Sequence, residues 1–374
     1  MIESKIIYNL RFILTLGVVF IHFNLISDPF IIHERVYGLH FPIYYYYVID
    51  LFSDVLPRVS VPLFFFFSGY LFFFNNNFTI DSYKQKLFRR FRTLMIPYFL
   101  WNSIALMKVF IIKLPLFSAL FPNAYKIDIC FSLGRLFDTF FFNENGVVIY
   151  PDSTGIIVDN PQPIDGPLWY VRDLFSMIII SPIIYMAICK FRRLFLIIVS
   201  LLWFYMTDIT NKGYPVQLAT ALFFFSWGGY FSILKLNFIR FVLSFKYSIF
   251  LYPLIAVVDV LTKRTDINIY IHNMGILVAM SSLLLLTFLL YKRYRFNVYR
   301  LFSESSFFVY ALHMIIIRDV GNVIMRALCL PDAPGSMLLF YFIVPLFTVL
   351  LCITIYSIMK KYVPGFLNLL TGGR

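Results

Sequence analysis

Charge is what this chain has least of, since only 14% of its 374 residues are Asp, Glu, Lys or Arg. A soluble domain carries about a quarter, so a surface built to face water on all sides is excluded. Acid is scarcer than base, 19 residues against 32, which leaves a formal net charge of +13. Internal repeats are absent, which excludes a solenoid or array and argues for one integral membrane domain over residues 1–374. Cysteine is sparse at four residues, too few to define a disulfide framework.

What fills the space is hydrocarbon. Hydrophobic residues make up 60% of the chain, and mean hydropathy is +0.81. Apolar runs recur from Leu10 to the Lys360-Lys361 pair, and about ten approach the roughly 20 residues that a bilayer requires. They fall near 9–27, 59–77, 94–114, 168–189, 193–209, 215–235, 245–262, 271–291, 305–325 and 337–359. Phe41 to Phe52 is a candidate interfacial helix. The first run has a short charged lead and no small-residue cleavage site after it, so it reads as a retained helix and not as a signal peptide. The expected fold class is all-α, a polytopic membrane helix bundle.

Basic residues orient that bundle. With both termini cytoplasmic, the inner segments collect Lys5, then Lys84, Lys86, Arg89, Arg90 and Arg92, then Lys190, Arg192 and Arg193. They continue with Lys235, Arg240 and Lys246, then Lys292, Arg293, Arg295 and Arg300, and finally Lys360, Lys361 and Arg374. Only Glu3, Asp81 and Glu304 oppose them, as the positive-inside rule expects. The excess of base is thereby explained by anionic lipid headgroups, and nucleic acid is not an expected partner. Cys130 and Cys329 share the outer side, but nothing in their spacing demands a disulfide.

Most non-helical mass lies outside. Residues 115–167 form a long outer loop with Asp128, Asp138, Glu144, Asp152, Asp159 and Asp165, and with turn chemistry at Tyr150 to Gly155 and Asn160 to Pro163. The connection from Ser27 to Val59 carries His33, His40 and Tyr44 to Tyr47, tyrosines that suit either an interfacial aromatic belt or sugar stacking.

Polar residues inside apolar runs are the candidate chemistry. Arg11 and His22 are eleven residues apart in the first run. At about 100° per residue they share one helical face, separated by roughly 16 Å. Ionisable side chains there mark a polar interior or a functional site. Ser68-Gly69, after the run Phe64 to Phe67, is either a site or a packing notch. Arg89 and Arg92 are three apart, so their guanidinium forks suit phosphate oxygens, or they anchor the chain at the headgroups. Gly166-Pro167-Leu168-Trp169-Tyr170-Val171-Arg172-Asp173 opens the fourth run with a proline-started helix, and Arg172 and Asp173 point about 100° apart. The ninth run opens with Ser303-Glu304-Ser305-Ser306 as a capping region. It continues to Tyr310 and His313, three apart on one face, where the histidine serves chemistry or bridges helices.

In order and on the expected sides, these elements resemble the acyltransferase 3 proteins, integral-membrane acyltransferases that include surface-polysaccharide O-acetyltransferases. The resemblance rests on Arg11 with His22, on Phe64 to Tyr70, on Arg89 and Arg92 followed by Pro97-Tyr98, and on Tyr310 with His313. Ser68-Gly69-Tyr70 replaces the more usual Ser-Gly-Phe and adds a hydroxyl.

The resemblance implies acetyl-CoA as acyl donor, held by Arg89 and Arg92. It implies a carbohydrate or lipid-linked sugar acceptor, with His22 as general base and Arg11 as second catalytic residue. Ser68, Tyr310, His313, Trp169, Arg172 and Asp173 are further site candidates, and no metal is expected. A bacterial inner, plasma membrane location is implied by the same resemblance. A secondary transporter or flippase, or a non-catalytic membrane scaffold, is the competing reading, against which stands the lack of repeated halves.

Overall fold

A computed structural model describes residues 2–24, 41–74, 78–114, 128–142, 146–149, 162–210, 213–328 and 333–373. In chain order the helices are α1 (Ile2–Ile21), α2 (Ile43–Ile49), α3 (Ser60–Phe73), α4 (Ile80–Arg90), α5 (Ile96–Ile112) and α6 (Leu133–Phe141). There follow α7 (Trp169–Ile179), α8 (Ser181–Phe191), α9 (Arg193–Thr210), α10 (Tyr214–Ile233) and α11 (Phe238–Leu243). The series ends with α12 (Ser248–Thr262), α13 (Asn268–Tyr294), α14 (Arg300–Leu328), α15 (Pro334–Tyr362) and α16 (Pro364–Thr371). The sheet found among the described residues is one antiparallel pair of two-residue strands, Asp128 opposite Ile149 and Ile129 opposite Val148. The protein is an all-helical polytopic membrane protein.

Among the described residues seven helical stretches are long and apolar enough to span a bilayer, and the bent pair α7 and α8 makes an eighth. Ten were expected, and the described residues of each expected run are largely helical. α12 has 15 residues, about 22 Å of rise against a hydrocarbon core of about 30 Å.

Three further expectations change. Phe41 to Phe52 is not a separate interfacial helix, because α2 runs through a π segment (Asp50–Val55) and a 3-10 turn (Leu56–Val59) into α3, giving one stretch Ile43–Phe73. The pitch change accommodates Pro57 without ending the helix. The fourth run is broken by 61° between Ile179 and Ser181, where Pro182 lacks the amide proton needed to continue the ladder. Finally, α14 starts at Arg300, so the serines do not cap it. Ser305 and Ser306 donate back to the Phe302 carbonyl at 3.2 and 2.9 Å, and Ser303 donates to the Tyr8 carbonyl at 3.3 Å.

The described residues group into two compact units. Unit 1 comprises Met1–His22, Ile43–Arg89 and Asp173–Ser306; unit 2 comprises Phe23–Pro42, Arg90–Arg172 and Phe307–Arg374. In unit 1, α3 and α10 approach backbone to backbone. A Cβ on Gly69 would lie 2.0 Å from the Phe225 carbonyl oxygen, and one on Gly228 would lie 1.9 Å from that of Phe66. Phe65, Phe66 and Phe67 are buried beside this contact and serve as packing bulk. Asn9 fastens α1 to the start of α14's approach, donating to the Phe296 carbonyl at 2.9 Å and accepting from the Val298 amide at 3.0 Å.

Unit 2 is closed around α5. Trp101 donates to the Leu370 carbonyl of α16 at 2.9 Å and packs edge-on against Phe308, 5.3 Å between centroids. Gly372, at φ +67, passes so close that a Cβ would sit 2.2 Å from the Thr93 carbonyl oxygen, which favours glycine on both counts. Lys108 of α5 pairs with Asp319 of α14 at 2.6 Å.

Candidate functional site

α1 is unbroken from Arg11 to Ile21, so the eleven-residue spacing holds in the structure. Arg11 is exposed. His22 is half-buried at the turn after the last helical residue, its amide donating to the Val18 carbonyl at 3.2 Å. A rise of about 1.5 Å per residue keeps the two side chains out of direct contact. Ser53 of the π segment donates to the Phe20 carbonyl at 2.8 Å, fixing the end of α1 that carries His22.

Ser68 is half-buried on α3, one residue before the glycine that meets α10, so the small pair contributes to helix packing whatever else Ser68 does. Arg89 ends the exposed, basic face of α4. Arg92, also exposed, lies in a π segment (Phe91–Met95), not in the α-helical continuation on which a shared face at spacing three depends.

In unit 2 the structure brings several candidates together around the 3-10 turn Gly166–Leu168. The Tyr310 hydroxyl donates to the Pro167 carbonyl, and its ring meets that of Tyr170 edge-on at 6.1 Å. The His313 ring centroid is 6.4 Å from that of Tyr310, so the two form the one face expected of them. His313 is fully buried, with Nδ1 3.1 Å from the Val309 carbonyl. A carbonyl only accepts, so Nδ1 carries the proton and Nε2 is the basic nitrogen. Trp169 is half-buried at the start of α7. Arg172 donates to the Phe141 carbonyl at the end of α6, 2.5 Å away, and lies over the Phe142 ring; a cation at a helix C-terminus offsets the carbonyl dipoles there. Asp173 is buried and belongs to unit 1.

The family model for the acyltransferase domain matches residues 6–357. The chain belongs to the acyltransferase 3 family. No curated protein and no solved structure matches the chain. Family membership makes this a multi-pass membrane acyltransferase, which requires an acyl donor and an acceptor.

Three polar features of the acyltransferase were not anticipated from its sequence. One is the Lys108 and Asp319 pair. Another is Asp165, 1% exposed, whose amide donates to Asn102 Oδ1 at 3.1 Å and whose carboxylate oxygens have no partner among the described residues. Burial pushes this carboxyl well above the usual range. The third is Asp259, whose Oδ2 is 2.7 Å from His272 Nδ1. Lys108, Asp319, Asp259 and His272 lie inside apolar runs, a signal of the kind that marked Arg11 and His22, whereas Asp165 lies in the outer loop. His33, His40 and the turns at 150–161 lie outside the described residues, as does Cys329; Cys130 is exposed. Among the described residues no group of three or more His, Cys, Asp or Glu is placed to hold a metal.

Proposed function

We propose that this acyltransferase moves an acetyl group from acetyl-CoA to a hydroxyl of a cell-surface carbohydrate or lipid-linked sugar, with His22 as general base. The observation that carries this reading is the unbroken α1, which holds Arg11 three turns before His22 and ends at the histidine. Ten crossings with both termini cytoplasmic, in a plasma membrane, are part of the proposal. α1 then begins on the basic, inner side, where Glu3 accepts from Asn237 at 2.8 Å, and finishes toward the outer face.

Acetyl-CoA would be held at the inner side by the exposed Arg89 and Arg92, whose charge-assisted contacts suit its phosphates. Arg11 stands on the donor side and His22 on the acceptor side. The His22 imidazole takes the proton of the acceptor hydroxyl, and the oxygen attacks the thioester carbonyl. The tetrahedral species collapses with loss of the C–S bond, and the proton passes to the departing CoA thiolate. The oxyanion needs donors, for which Arg11, Ser68, Tyr310 and His313 are the candidates; Trp169, Arg172 and Asp173 would shape the surroundings.

Purified protein given labelled acetyl-CoA and a glycan panel tests this. Transfer should fall at least about 100-fold in His22→Ala, the range of general-base catalysis. Undiminished transfer by that variant would remove His22 as the base, and transfer to no glycan by the wild type would remove the acceptor class.

A further inference from the structure

At the end of unit 1 where α1 finishes, side chains from several elements form one connected network. The π segment that Ser53 joins to Phe20 also holds Asp50, 3.1 Å from Arg264, and Asp54, whose backbone carbonyl accepts from Lys263 at 3.1 Å. The Asp54 carboxylate meets Arg58. Lys263 Nζ stands 3.6 Å from Asp259 Oδ1. Asp259, 2% exposed, then receives Asn268 Nδ2 on Oδ1 and His272 Nδ1 on Oδ2, each at 2.7 Å. A continuous path thus leads from the last turn of α1, two residues before His22, to His272 at the start of α13.

A carboxylate only accepts, so the proton lies on Nδ1 and His272 Nε2 presents a lone pair. Nothing among the described residues bonds to Nε2, and the side chain remains 20% exposed. In metal sites and catalytic triads a carboxylate orients an imidazole in this way and leaves the far nitrogen to act as ligand or base.

Closing the α12 to α13 turn does not require the imidazole. Asn268 already bridges it, donating to the Asp259 carbonyl at 2.9 Å as well as to the carboxylate. On α9, Asp208 is taken by Tyr270 at 2.6 Å, and Thr207 accepts from Asn273 at 2.8 Å.

Charge decides what would bind. Asp50, Asp54 and Asp259 are matched by Arg58, Lys263 and Arg264. Burial holds the Lys263 ammonium below its ordinary range, against the pull of Asp259. A network with no net charge offers little to an ion, whereas an open lone pair favours a neutral donor, and the commonest such donor is a hydroxyl.

We propose that His272, oriented by Asp259, is a recognition subsite that accepts a hydrogen bond at Nε2 from a hydroxyl of a neutral, polyhydroxylated acceptor. The inference rests on the carbohydrate acceptor proposed for the enzyme and adds a binding group for it. No bond is made or broken at His272.

The test uses the full chain in detergent and the variant His272→Asn. An asparagine amide replaces Nδ1–H toward Asp259 and removes Nε2, so the melting temperature should be kept. With neutral oligosaccharides such as maltotriose and chitotriose as acceptors, KM for the acceptor should rise about tenfold, the loss of one good hydrogen bond. The rate constant kcat should stay within about twofold, as expected when an interaction made equally in ground and transition states is lost. An unchanged KM overturns the proposal, and so does a fall in kcat alone.

If the wild type acetylates none of these, the acceptor reading fails separately, and diethyl pyrocarbonate then decides the subsite. Carbethoxylation of His272, read by mass spectrometry and suppressed by millimolar oligosaccharide, supports it. No adduct, or no suppression, overturns it.

Discussion

Asp165 shows how much a single side chain can depend on its surroundings. Its backbone is engaged on both sides, by Asn102 at the amide and by the Leu168 amide at the carbonyl, while its carboxylate is buried without a partner among the described residues. A carboxyl raised above its unfolded value keeps its proton in the native state where the unfolded chain has lost it. Its contribution is therefore complete below about pH 4, the ordinary carboxylate value, and is lost as pH rises through the native one. Asp165→Asn should flatten this dependence, so the wild type loses more melting temperature between pH 4.5 and 7.5 than the variant does. Parallel curves for the two proteins would refute it. From the sequence Asp165 was one of several acids in a long loop, because only the fold shows which of them is enclosed. Arg11 and His22 were legible because an apolar run made them anomalous, and His272 was overlooked at the edge of such a run.

At the scale of elements, the pairing of α3 with α10 rests on two glycines whose missing side chains let carbonyls approach. Gly69→Ala places a methyl group where only backbone fits. Overpacking of this kind costs about 1–3 kcal/mol, so the variant should melt earlier in detergent, with Gly134→Ala, which has open space, as the unaffected control. An equal melting temperature for both would show that α3 shifts to accept the methyl. The Ser68-Gly69 pair was readable as a packing notch, but its partner at Phe225 was not, since local sequence says nothing of which helix arrives. Helix ends are not legible in the sequence where the pitch changes. Asp50, Asp54, Pro57 and Arg58 look like a loop, and the structure carries them through π and 3-10 turns. Ser303 looks like a cap, and the helix has already begun at Arg300.

For the whole molecule, hydropathy made the all-helical membrane class legible, because a bilayer leaves few alternatives to helices for so apolar a chain. The grouping into two units was not, since it joins segments distant in sequence, such as α1 with α12 and α13. The proposed orientation predicts that a membrane-impermeant maleimide labels the exposed Cys130 in intact cells of a Cys329→Ser variant. The exposed Cys189, beside Lys190, should react only after permeabilisation, and Cys352 is buried in either case. The reverse pattern would invert the topology. The contact between α3 and α10 bears on motion as well. With Gly69 under the Phe225 carbonyl and Gly228 under that of Phe66, a slip of one residue would bring Ser68 or Tyr70 against the Phe225 carbonyl. These two helices act as a locked rail, so whatever travel a reaction cycle needs within unit 1 must be taken up by other joints, of which the 61° break before Ser181 is the plainest.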